Sequence, residues 1–196
     1  MLKKILFASS LISLSGIAVA DDYPCTLCHW YAGGSISYNH RSDALPDANR
    51  DAQNIGAGAV MGWKQTFANM TRIFYGFEFQ VTSLGSDSWS GSPKPSANYY
   101  QANILYVLHL MPYRLVDLKL KAGAAWQFNQ VNNIGSNTNW FALPVIGAGV
   151  GVYVAPRIET SLNWLYTFGD GDGKALRSNQ NPVANSQYSL SVTYHW

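Results

Sequence analysis

Tyr188-Ser189-Leu190-Ser191-Val192-Thr193-Tyr194-His195-Trp196 reads as a single strand. Side chains in a strand point to opposite faces with a period of two. Tyr188, Leu190, Val192, Tyr194 and Trp196 therefore share one face, which is wholly apolar and rich in aromatics. Gln187, Ser189, Ser191, Thr193 and His195 share the other, which is wholly polar. Such a strand suits a wall with lipid on one side and a polar interior on the other.

Working back from this strand, the same alternation recurs in seven more segments. Each is about 10 residues or longer, as a tilted membrane strand requires. They are Trp30–Asn39, Ile55–Thr66, Arg72–Thr82, Tyr100–Leu110, Val116–Phe128, Phe141–Val154 and Ile158–Phe168. The third is the clearest: Ile73, Tyr75, Phe77, Phe79 and Val81 face one way, and Arg72, Gly76, Glu78, Gln80 and Thr82 the other. The sixth is the weakest, because both of its parities are apolar. Gly147, Gly149 and Gly151 share one parity there and are expected to point inward, where small residues let the lumen close up.

The connections alternate in length. Residues 67–71, 111–115 and 155–157 are short, whereas 40–54, 84–99, 129–139 and 169–186 are long and rich in Gly, Asn, Ser, Asp and Pro. Aromatics reach 14% and charged residues only 12%, and no run of 18 apolar residues follows the first 20 positions. Together these predict an all-β fold: an eight-stranded antiparallel transmembrane β-barrel, an up-and-down meander with short periplasmic turns and long outer loops. A secreted soluble sandwich or lipocalin-like barrel would share the alternation. The large outward aromatics and the loop asymmetry weigh against it.

Residues 1–20 read as a secretory signal, with Lys3 and Lys4, an apolar stretch broken by serines, and Ala18-Val19-Ala20 before Asp21. Cleavage would leave residues 21–196 as one barrel domain. The leader holds two of the 13 Lys+Arg and none of the 11 acids, so the rest of the chain carries 11 of each and is neutral. That balance argues against a clustered basic face for nucleic acid.

Trp30-Tyr31-Ala32-Gly33-Gly34-Ser35, Tyr75-Gly76-Phe77-Glu78-Phe79, Pro144-Val145-Ile146-Gly147-Ala148-Gly149-Val150-Gly151 and Tyr188-to-Trp196 resemble the matching strands of small outer-membrane barrels of the OmpA/OmpX type. Members of that family usually end in Phe, where this chain has Trp196. The resemblance implies a place in the bacterial outer membrane, contact with outer-membrane lipid and lipopolysaccharide, and roles in envelope integrity or adhesion through the loops. It also implies insertion by the barrel-assembly machinery. The outward stripe Tyr188, Leu190, Val192, Tyr194 and Trp196 is the expected insertion signal. No peptidoglycan-binding domain is expected after the barrel, so that anchoring role is not carried over. A monomer is expected.

The inward parity collects Lys64, Arg72, Glu78, Asp117, Lys119, Lys121 and Glu159, with Arg157 at a turn. Charges inside a narrow lumen are costly unless paired. Two readings follow: a salt-bridged plug, or a gate in which Glu78 exchanges between Lys119, Lys121 and a neighbouring Arg. Eight strands leave little room for water, which favours the plug. A narrow pore for ions or small solutes is the alternative.

Cys25-Thr26-Leu27-Cys28-His29 has the C-x-x-C-H form of a covalent haem attachment, with His29 as an axial ligand. The motif abuts the first strand, leaving little chain to wrap a haem. A Cys25–Cys28 disulfide in an oxidising compartment is the simpler expectation, and no cofactor or metal is expected. Asp170-Gly171-Asp172-Gly173 lacks the later acidic ligands of a calcium loop. Trp89 and Pro93-Lys94-Pro95 suit surface contact or, equally, a packed loop. Parity sends Ser189, Ser191 and His195 inward, so no Ser–His–acid set falls on the lipid face and the chain is not expected to be an enzyme.

Overall fold

The computed structural model describes residues 29–41, 52–67, 70–88, 96–132, 138–169 and 184–196. The leader, Cys25, Cys28, Trp89, Pro93–Pro95 and Asp170–Gly173 lie outside the described residues. The strands are β1 (Trp30–Arg41), β2 (Ala52–Phe67), β3 (Met70–Ser88), β4 (Ser96–Tyr113), β5 (Val116–Asn132), β6 (Thr138–Ala155), β7 (Ile158–Thr167) and β8 (Asn185–His195). Each pairs antiparallel with its neighbour in sequence, and β1 pairs with β8 to close the barrel. At the closing seam Ile36 stands opposite Leu190 and Ser35 opposite Ser191, so apolar meets apolar and polar meets polar.

The period of two is visible in exposure. In β8 every residue from Gln187 to His195 on the polar parity is buried, while Tyr188, Leu190, Val192, Tyr194 and Trp196 are exposed. A water-soluble protein would invert this. Large apolar side chains stand outward around the wall, with Phe77 54% and Leu162 63% exposed. Aromatic pairs knit that outer face. Phe77 packs edge-on to Tyr106 at 5.6 Å between ring centroids, and Tyr75 stacks on Tyr106 at 6.5 Å.

The strands run past the segments read from alternation. β3 has 19 residues and β4 has 18, against the roughly 9–11 needed to cross the hydrocarbon. Residues 84–99 were expected to be a loop, yet Gly85 pairs with Tyr99, Ser86 with Asn98 and Ser88 with Ser96. Ser83, Ser86, Asp87 and Ser88 carry no apolar parity. A strand that has left the lipid has no reason to alternate, so the pattern stops before the strand does. A register shift between Ser83 and Gly85 marks the transition. Gly85 takes φ +93°, a left-handed conformation that glycine adopts without steric cost. Residues 129–139 behave likewise, since Gln130 pairs with Thr138. The asymmetry itself holds: residues 68–69, 114–115 and 156–157 join strands at one end, and 42–51, 89–95, 133–137 and 168–184 at the other.

Candidate functional site

The wall turns its polar parity into the barrel, and eight strands leave a bore only wide enough for side chains. Near the short turns, β1 supplies Tyr31, β2 Lys64, β3 Phe74 and Glu78, β4 His109, β5 Asp117, Lys119 and Lys121, β6 Tyr153, β7 Glu159 and β8 His195. All are buried.

Two carboxylates organise this half. Glu78 accepts from Lys121 Nζ at 2.5 Å, from Gln80 Nε2 at 2.6 Å and from the Tyr31 hydroxyl at 2.8 Å. Glu159 pairs with Lys119, and its second oxygen lies 3.2 Å from His195 Nε2. His109 Nδ1 meets Asp117 at 2.8 Å. Lys64 is held differently: its ammonium donates to the Tyr153 hydroxyl at 2.6 Å and lies 5.5 Å from the Phe74 ring centre. Aromatic faces attract a desolvated cation through the ring quadrupole. Tyr31 stacks on His195 at 5.2 Å, and Lys119 sits 5.9 Å from its ring centre.

Several of these contacts join strands that are not neighbours in the wall. Lys121 to Glu78 links β5 to β3, and Lys119 to Glu159 links β5 to β7. Lys64 to Tyr153 links β2 to β6, which stand on opposite sides of the barrel. Further along the bore, Gln101 on β4 donates to Thr167 on β7 at 3.0 Å, and Gln187 on β8 to Thr82 on β3 at 3.4 Å. Between these levels lies an apolar cluster of Leu105, Val107, Ala125, Val145 and Leu165. The side chains thus bridge the bore at several heights.

The glycines of β6 point inward as expected. A Cβ on Gly151 would strike the Glu159 carboxylate, and one on Gly62 in β2 would strike the Tyr31 ring. Both glycines make the room in which the ion pairs assemble.

Six of the charged residues expected in the lumen are there: Lys64, Glu78, Asp117, Lys119, Lys121 and Glu159. Arg72 and Arg157 are not. Arg72 has inward parity, but it stands near the start of β3, where the bore opens, and is exposed. Arg157 is exposed in the β6–β7 turn and donates to the Tyr194 hydroxyl at 3.2 Å. The charged partners around Glu78 are lysines, so the exchange with a neighbouring Arg loses its third member. His29 is exposed and its Nδ1 lies 3.1 Å from the Lys64 carbonyl. Charge-based reading missed Tyr31, Phe74 and Tyr153, whose parity alone would have placed them inside.

The chain is 24% identical over 193 residues to Outer membrane protein A of Escherichia coli O157:H7, covering 94% of this chain and 53% of that protein. Outer membrane protein A of Salmonella typhi is 22% identical over 197 residues, with the same shares covered. The chain is similar to these OmpA proteins and has the fold of an eight-stranded outer-membrane β-barrel. It resides in the bacterial outer membrane, and it spans about half the length of these relatives. No protein-family model matches it. Among solved structures, this barrel superposes on Ail of Yersinia pestis with a TM-score of 0.59 at 15% identity, covering 86% of this chain and 99% of that one. On Neisserial surface protein A the TM-score is 0.58 at 12% identity, covering 85% and 97%. Those likenesses concern the fold.

Proposed function

We propose that this OmpA-like barrel is a non-enzymatic surface protein. Its lumen is closed by a salt-bridged plug, and its four outer connections serve envelope integrity or surface adhesion. The observation that carries this reading is the set of direct bonds across the bore, above all Lys64 to Tyr153 between opposite walls. A continuous wet channel would have to break them. A non-enzymatic role is supported by the orientation of His109 and His195. Both face carboxylates within the sealed lumen, away from lipid and from the outer loops. Adhesion is supported by fold likeness: Ail, solved also in complex with the heparin analogue sucrose octasulfate, superposes with a TM-score of 0.54 at 14% identity.

A narrow pore is the second reading. It is favoured by a small polar cavity among Ser35, Glu78, Gln80, Lys119, Lys121 and Ser191. It is also favoured by buried polar atoms that have no protein partner among the described residues, such as Asp117 Oδ1 and His195 Nδ1. Ordered water commonly satisfies such atoms. Single-channel current across a planar bilayer separates the two readings. The plug predicts a silent trace from folded protein. Discrete, reproducible steps would establish a conducting lumen and overturn it. Adhesion is tested on intact cells, where the protein should raise binding to sulfated-glycan surfaces; equal binding without it would leave envelope integrity.

A further inference from the structure

Among the described residues, the cations at two places in this barrel differ in type. The three buried in the lumen, Lys64, Lys119 and Lys121, are all lysines. The three at the short-turn end, Arg72, Arg114 and Arg157, are all arginines, and all are exposed. Each of the latter stands in or beside one of the three short connections, so they are spread around the rim. No acidic side chain is exposed at this end among the described residues, because Asp117 and Glu159 are turned into the lumen and buried.

The same rim carries an aromatic belt. Trp30, Phe67, Tyr113, Tyr194 and Trp196 are exposed there, Tyr113 by 75%. Arg157 is tied to that belt through the Tyr194 hydroxyl. Tyr and Trp side chains favour the depth of the lipid headgroups, so the arginines stand at or just beyond that depth. A guanidinium presents a planar fork of donors that matches a phosphate oxygen pair, which an ammonium does not. In an outer-membrane barrel the short turns face the periplasm, where the adjoining leaflet is phospholipid.

We propose that Arg72, Arg114 and Arg157 form a collar that binds the phosphates of anionic phospholipids in the periplasmic leaflet. The collar selects the barrel's lipid neighbours and fixes its depth in the membrane. The collar depends on the outer-membrane orientation and is independent of whether the lumen conducts.

The test uses the folded protein in vesicles in which either the anionic lipid (phosphatidylglycerol) or the zwitterionic lipid (phosphatidylcholine) is brominated. Trp30 and Trp196 lie at the rim and report contact by quenching. The wild type should favour the anionic lipid by at least about five-fold in relative association. Arg72→Gln, Arg114→Gln and Arg157→Gln combined should bring that preference close to one, and the three changes to Lys should keep part of it. Arg114→Gln alone, in the two-residue β4–β5 turn, should lower it measurably, which keeps the test decisive if the triple variant fails to fold. A wild type without preference would overturn the collar. So would an unchanged preference in the Gln variants, which would assign the anion to the cations of the outer connections. Displacement of the lipid by soluble peptidoglycan fragments would likewise overturn it in favour of the wall polymer.

Discussion

Along β5 the lumen changes character. Asp117, Lys119 and Lys121 face Glu159, Glu78 and His109 from one stretch, while Ala125, two inward positions further on, joins Leu105, Val107, Val145 and Leu165. Both patches are buried, and both fill the same bore. The apolar patch gains from burial without any demand on direction. The ionic patch must recover the cost of desolvating each charge through partners placed within hydrogen-bond reach. Glu78 shows how completely this is done, with donors from Tyr31, Gln80 and Lys121. On the proposed plug, the comparison teaches that the ions specify the arrangement and the aliphatics fill it.

Removing one ion should therefore break the plug most severely. Glu78→Ala leaves Lys121 buried beside an empty position, and should cost about 3–5 kcal/mol in urea unfolding from vesicles, with a rise in leak current. A cost no greater than that of an aliphatic truncation, with the current unchanged, would erase the distinction between the patches. Leu165→Ala in the apolar cluster should cost about 2–4 kcal/mol and leave the bilayer silent, because the bonds across the bore survive. Replacing both charges, Glu78→Leu with Lys121→Met, should sit within about 1–2 kcal/mol of the wild type, since a buried pair is often matched by apolar groups of similar volume. If that double variant stays silent in the bilayer, closure comes from packing; if it conducts, closure belongs to the ions.

The wall was legible because its signal is local. Phe77 lies outward and Glu78 inward by the pleat of the strand alone, whatever the rest of the chain does. The inward glycines of β6 were foretold by residue size instead, because both parities of that strand are apolar. The parity rule failed at Arg72, which has the parity of a lumen residue but not the depth of one. It also failed at residues 84–88 and 96–99, which are strand without an apolar face because they pair beyond the lipid. Parity says which way a side chain points, and carries no information on height along the barrel.

The amino-acid sequence by itself determined the number of strands, their antiparallel order, the face each side chain shows and the end at which the short turns gather. Each of these follows from a period of two and from connection lengths. Only the tertiary structure decided who meets whom across the bore. Lys119 and Lys121 are two residues apart on one strand, with the same parity, yet Lys119 bonds Glu159 on β7 and Lys121 bonds Glu78 on β3. That choice depends on the stagger of the strands around the closed barrel, which sets the height at which each inward side chain arrives. Stagger is a property of the whole ring of pairings, and no single segment encodes it.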